Sequence, residues 1–465
     1  MEYVSTRNST KRETFSDILL SGLAPDGGLY VPDQWPEMDM NWLSRISGLS
    51  YGSLASQLIQ PFIGKDIPDG DIQEIIENTY SAEKGAFDHA AICPMRQIGP
   101  NVWLMELFHG PTLSFKDVAM QLLGALFDYT LKKEGKKITV LAATSGDTGS
   151  AAIHGCMKRE NIDIVVLHPH EKISEVQRKQ MTGVSARNIH NIAVKGNFDD
   201  CQSMVKTLFE DADFKKDMNL TAVNSINWAR IVAQMVYYFA ASLSLGGPRR
   251  PVSFVVPTGN FGNAFSAYVA KKMGLPIDRI IIANNTNDTL SRFFYTGSMK
   301  PGHVSSSLSP SMDIQIPSNF ERYLFELLKR DDNRLKEIMD NLKNKRAFNL
   351  SEDLMPKAQS DFRAYSASDN DTLEMIQMCF ETTGIIVDPH TAVGLQAAQA
   401  LHEDPETPLV VLSCAHPAKF PQTVHKALGI EPPVPRRLVS TLKATEKFEV
   451  IDNDIGQLRS YLKKM

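Results

Sequence analysis

The chain has 465 residues, 43% of them hydrophobic, with a formal net charge of -5 and a pI of about 6.1. That length allows two or three domains, and the mild acidity provides no general field for nucleic acid or an anionic membrane. The five cysteines (Cys93, Cys156, Cys201, Cys379, Cys414) are odd in number, scattered and without a CxxC pair, which argues against a disulfide framework or zinc site and fits a reducing cytosol.

The opening MEYVSTRNSTKRETFSD is polar and lacks the apolar core of a secretion signal, and no run of 18 apolar residues occurs. The expectation is a soluble cytoplasmic protein with neither membrane nor nucleic acid as partner. Leu19–Pro32 is turn-rich around Pro-Asp-Gly-Gly, and helical patterns follow near Leu43–Ile59, just ahead of Pro61, and at Asp71–Tyr80. Residues 1–100 therefore read as a mostly helical N-terminal unit.

From Leu104 onward, short apolar runs alternate with helical patterns. Ile138–Ala143, Ile162–Leu167, Val252–Val256, Ile280–Ala283 and Leu409–Ser413 are rich in β-branched residues, as strands buried on both faces of a parallel sheet are. Asp117–Lys133, Trp228–Leu245, Ala264–Met273 and Thr391–Leu401 carry apolar residues at helical spacing. Residues 101–465 are expected to form an α/β region, with open, mostly parallel sheets and helices on both faces. Glu321–Asn349 is charged and reads as helical, an insertion or a subdomain edge.

Three segments carry chemistry. Lys116 follows a Gly110-Pro111 turn at the start of an amphipathic helix, where the dipole opposes a cation. An amine whose charge is disfavoured can act as a nucleophile or Schiff-base partner. Thr144–Ser150 (TSGDTGS) lies between a strand and a helix and brings four hydroxyls and two glycines to a helix start, more than an N-cap needs. Gly259-Asn260-Phe261-Gly262-Asn263 makes the same strand-to-helix connection, its glycines permitting positive φ and close approach of backbone N–H groups to an anion. Neither GxGxxG nor GK[ST] is present, so the loop is no dinucleotide fingerprint or P-loop. Both loops lie at carboxyl ends of strands, where open α/β sheets bind ligands.

A Schiff-base lysine, a glycine loop for a cofactor phosphate and a hydroxyl-rich loop for substrate are the parts of a pyridoxal phosphate (PLP) site. LSFKD (113–117), TSGDTGSAA (144–152), NSINWAR (224–230), PTGNFGN (257–263), DPHTAVG (388–394) and AHPAKF (415–420), in this order, resemble the threonine synthase family. YVSTR and APDGGLYVP near the start are similar to its longer bacterial and fungal branch. The resemblance implies a fold-type-II, tryptophan-synthase-β-like PLP enzyme with two α/β subdomains and the active site between them. It would convert O-phospho-L-homoserine and water to L-threonine and phosphate.

On that resemblance, Lys116 holds the cofactor and shuttles protons, while Gly259, Asn260, Phe261, Gly262 and Asn263 hold its phosphate. Ser145, Asp147 and Thr148 face the substrate. Asn224, Asn227 and Arg230 line the pocket, Arg230 as a partner for the substrate phosphate. One position departs from the family pattern: Cys414 stands where threonine commonly meets the pyridine nitrogen, so either Cys414 or Ser413 fills that role. His109, His390 and His416 lack metal-ligand spacing and read as structural. The sequence leaves open a phospho-lyase yielding 2-oxobutanoate, a serine or threonine dehydratase, a non-catalytic relative, and the choice of monomer or homodimer.

Overall fold

The five apolar runs are all strands in a computed structural model of the chain, which describes residues 1–144, 146–222 and 225–465. The chain folds into two units. One comprises Met1–Ile18, Leu23–His109 and Ser225–Pro433, the other Leu19–Gly22, Gly110–Asn224 and Val434–Met465.

In the first unit, a six-stranded sheet runs in the order Arg363–Ser366, Ile277–Asn284, Val252–Pro257, Leu409–Ser413, Val102–Glu106, Met95–Gly99. Every pairing is parallel except the last. Val255, Ile281, Leu409 and Val411 bury one face against Ala392, Val393 and Ala397 of helix Pro389–Leu401. That helix starts where it does because Asp388 caps it and Pro389 takes the first position, where a missing N–H costs nothing.

In the second unit, five parallel strands run Glu449–Asp452, Ile189–Lys195, Ile162–Pro169, Ile138–Ala143, Leu220–Thr221. Helix Lys116–Glu134 ends at Gly135, whose left-handed φ of 63° closes the last turn. Its Gly124 lies against Gly155, where a Cβ would sit 2.0 Å from the Gly155 carbonyl oxygen. Two glycines thus set this close crossing of helices.

Several expectations are corrected. Pro61 lies inside helix Tyr51–Ile63, in its last turn, and a separate helix, Met40–Ile46, precedes it. Residues 1–100 do hold these helices, but apart from 19–22 they fold with the first unit, whose boundary falls after His109. The segment Glu321–Asn349 is two helices, Phe320–Leu327 and Asp332–Lys345, and a short strand. Glu321 and Arg322 are buried there.

Candidate active site

In the second unit, Lys116 is the first residue of its helix and is buried. The turn before it is tied down by Asp117, whose carboxylate accepts from the Thr112 N–H (2.8 Å) and hydroxyl (2.7 Å). Gly110 is required there, because a Cβ would lie 2.3 Å from the Asp117 Cβ. Lys116 Nζ lies 3.3 Å from Asp147 Oδ2 and 4.9 Å from the Phe115 ring centroid. The charge that the helix dipole opposes is thus offset by a buried carboxylate, a partner the sequence reading assigned to substrate instead. Gln177 Nε2 donates to the other oxygen of Asp147 (3.0 Å), which fixes the carboxylate's orientation.

The loop before Asp147 is capped from within. Thr144 Oγ1 accepts the N–H groups of Gly146 (3.0 Å) and Gly149 (2.9 Å), and Ser150 donates to the Asp147 carbonyl (3.1 Å). Two of the four hydroxyls therefore serve the loop itself. Thr148 is partly exposed in the first helical turn, and Ser145 lies outside the described residues.

In the first unit, Gly259–Asn263 joins strand Val252–Pro257 to helix Gly262–Lys272. Neither glycine has a positive φ; Phe261 does, at 64°. Its buried ring is held edge-on by Phe320 and Phe362 at centroid distances of 5.1 and 5.2 Å. This packing sustains a left-handed conformation that costs a non-glycine residue about 1–2 kcal/mol. The glycines instead permit close approach: a Cβ on Gly259 would lie 2.6 Å from the Ser311 carbonyl oxygen. Asn263 Oδ1 accepts from the hydroxyls of Tyr237 and Tyr238, while its Nδ2 is buried without a partner among the described residues.

Arg230 is buried in helix Trp228–Ser244, and its Nε and Nη1 lack partners among the described residues. Burial pushes its pKa down to about 10, so the guanidinium is charged at neutral pH and can receive an anion. Asn227 caps that helix through a 3.0 Å bond to the Ala229 N–H, a structural duty. Asn224 lies outside the described residues. Ser413 Oγ lies 3.2 Å from Thr391 Oγ1, and the Cys414 thiol lies 3.6 Å from the Leu412 carbonyl. Ser413 is thus engaged toward the helix layer, and alternation along the chain sends Cys414 to the other side.

Sequence reasoning missed Asn319 and Arg322. Asn319 donates through its backbone N–H (3.1 Å) and Nδ2 (3.2 Å) to the Asn260 carbonyl, and through Nδ2 to that of Ser225 (3.0 Å). Arg322 binds Asn319, the Ile226 carbonyl (2.6 Å) and the Tyr30 carbonyl (2.9 Å). Together they tie the glycine loop to the NSINWAR segment. No local pattern signals this, because Asn319 lies just ahead of, and Arg322 within, the segment that reads as charged and helical.

Residues 94–415 match the pyridoxal-phosphate dependent enzyme family, residues 2–80 the threonine synthase N terminus and residues 391–462 the threonine synthase C-terminal region. The threonine synthase of Pseudomonas aeruginosa is 46% identical over 463 residues, spanning 99% of this chain and 98% of its own. The chain belongs to the threonine synthase family. A PLP-bound threonine synthase from Brucella melitensis superposes with a TM-score of 0.97 at 45% identity, covering 100% of this chain and 99% of that one. The yeast threonine synthase does so at 0.94 and 37% identity, with 100% and 98% covered.

The residues present fit the cofactor of this family. PLP needs an amine for its aldehyde, donors for its phosphate and a partner for its ring nitrogen. Lys116 is a buried amine; the loop at 259–263 opens a helix and packs too closely on the Ser311 carbonyl for a Cβ at Gly259; Asn263 Nδ2 is buried without a partner among the described residues. The threonine synthase relatives share the fold of this chain. No helix among the described residues is long and apolar enough to cross a membrane.

Proposed function

We propose that this chain uses PLP to convert O-phospho-L-homoserine and water into L-threonine and phosphate in the cytoplasm, the last step of threonine biosynthesis. The observation that carries the reading is the buried Lys116–Asp147 pair at the start of two helices, with Nζ and Oδ2 3.3 Å apart. Bound PLP supplies an electron sink for negative charge developing at Cα and Cβ of the substrate.

Lys116 would hold the cofactor through Nζ, and the loop Gly259–Asn263 would take its phosphate on backbone N–H groups. Cys414 would face the ring nitrogen with a thiol, which is a weak donor. With the substrate bound through its amine, Lys116 Nζ would be free to remove the Cα proton. Asp147 Oδ2 receives the resulting ammonium in the pair already present and so keeps the proton close for return. A second proton leaves Cβ, phosphate departs from Cγ, and a proton returns to Cγ. Water then adds at Cβ as the proton is restored at Cα.

Arg230 binds the substrate phosphate with the Nε and Nη1 donors that have no other described partner. Ser145 and Thr148 take the amino-acid carboxylate, and Asn224 and Asn227 shape the pocket wall.

The test is borohydride reduction of the holoenzyme followed by peptide mapping. A pyridoxyl adduct on Lys116, together with loss of the visible cofactor band and of turnover in Lys116→Ala, is expected. An adduct on another lysine would overturn the assignment.

A further inference from the structure

Asp388 is fully buried and caps helix Pro389–Leu401, accepting from the backbone N–H groups of His390 (3.1 Å) and Thr391 (3.3 Å). A cap needs nothing more, yet both side chains that follow also bind this carboxylate. His390 Nδ1 donates to Oδ2 at 2.7 Å, and the Thr391 hydroxyl donates to Oδ1.

Each of these side chains reaches a different part of the first unit. His390 Nε2 accepts the Ser311 N–H at 3.2 Å, so the imidazole carries its proton on Nδ1. Ser311 belongs to the short turn Pro310–Met312, and its carbonyl oxygen is the atom that a Cβ on Gly259 would strike. Thr391 Oγ1 accepts the Cys414 N–H at 3.1 Å and lies 3.2 Å from Ser413 Oγ.

We propose that Asp388 is a positioning residue for the cofactor cradle: through His390 and Ser311 it sets the phosphate loop, and through Thr391 it sets the strand end at Ser413 and Cys414. One buried carboxylate thereby registers the two ends at which the cofactor is gripped. The inference rests on the PLP reading above, and it gives the DPHTAVG segment a physical task.

Three variants of the full-length holoenzyme test it. Asparagine caps helices as well as aspartate does, so Asp388→Asn preserves the helix start. Its amide nevertheless cannot accept from both His390 Nδ1 and the Thr391 hydroxyl. An amide donor facing Nδ1 also drives the imidazole proton to Nε2, against the Ser311 N–H. The expected result is a PLP dissociation constant raised roughly ten-fold, the scale of one buried hydrogen bond to a charged group, with both the ³¹P shift and the absorbance maximum of bound cofactor displaced. His390→Asn keeps the donor to Asp388 but falls short of Ser311, so it should move the ³¹P shift and spare the absorbance maximum. Thr391→Val should do the reverse.

Unchanged PLP affinity and spectra in Asp388→Asn, with only the melting temperature lowered, would reduce Asp388 to a helix cap and overturn the proposal. Should Asp388→Asn fail to fold, the other two variants decide it: the proposal falls if neither moves its own signal. A wild-type protein that takes up no PLP overturns the functional reading as well. Normal uptake by wild type and variants alike overturns only the positioning role.

Discussion

Gly259→Ala isolates what the phosphate loop asks of its first residue. The φ of Gly259 is not positive, so alanine meets no backbone penalty, and the whole effect comes from one added methyl. That methyl would lie 2.6 Å from the Ser311 carbonyl oxygen, 3.0 Å from Ile314 Cδ1 and 3.3 Å from Met312 Cα. An ordinary contact needs at least 3.4 Å, so loop and turn must part by most of an ångström, and Ser311 is backbone that is itself held by His390. Overpacking of this kind costs about 1–3 kcal/mol. If the loop gives way, its N–H groups leave the phosphate, and PLP affinity falls by roughly ten- to a hundred-fold at 1.4 kcal/mol per decade. Gly262→Ala is the control, because its methyl meets only the Asn319 amide at 3.2 Å and nothing else within 3.7 Å. Titrating each apoprotein with PLP by fluorescence quenching measures both, and Gly262→Ala should stay within about three-fold of wild type by the same scale. Equal losses, or a greater loss at Gly262, would refute the argument that close approach at Gly259 shapes the loop.

Asp147→Asn removes the carboxylate that faces Lys116 Nζ, a loss on the order of 1.5–3 kcal/mol for one hydrogen bond between charged groups; the melting temperature of cofactor-free protein should fall more than that of holoenzyme, where Nζ is already engaged. Cys414→Asp places a carboxylate at the ring nitrogen and should shift the absorbance band and divert part of the turnover to transamination, while Cys414→Thr should retain or modestly raise activity. If Ser413→Ala changes spectrum and products and Cys414→Asp changes neither, Ser413 is the ring partner. Burial, reinforced by nearby His109, pushes the His416 pKa down from 6.5 to about 4. The unfolded chain binds this proton between those values and the folded one does not, so stability is full above pH 6.5 and is lost as the pH falls toward 4. His416→Gln should therefore show a shallower decline of melting temperature across that window than wild type.

Strands such as Ile138–Ala143 and Leu409–Ser413 were legible because both faces are buried, leaving unbroken apolar runs. Ile189–Lys195 escaped notice because His190 and Asn191 interrupt the pattern, His190 Nδ1 lying 2.9 Å from the Tyr461 hydroxyl and Asn191 Nδ2 donating to the Met181 carbonyl. Glu449–Asp452 is an edge strand with only Ile451 buried, too little apolar signal to read. At the site, Lys116 and the two loops could be read because each follows a strand and opens a helix. The Asp147 counter-charge, the Asn319–Arg322 tie and the Asp388 network could not, since each depends on pairings across 22 to 292 residues. The positive φ expected of the loop glycines belongs to Phe261, because aromatic packing can hold a conformation that propensity alone assigns to glycine.

Product analysis of the purified protein with PLP and O-phospho-L-homoserine tests the central claim most directly. Phosphate and L-threonine should appear in equal amounts, at a rate abolished by Lys116→Ala. Phosphate accompanied by 2-oxobutanoate and ammonia, with no threonine, would contradict it.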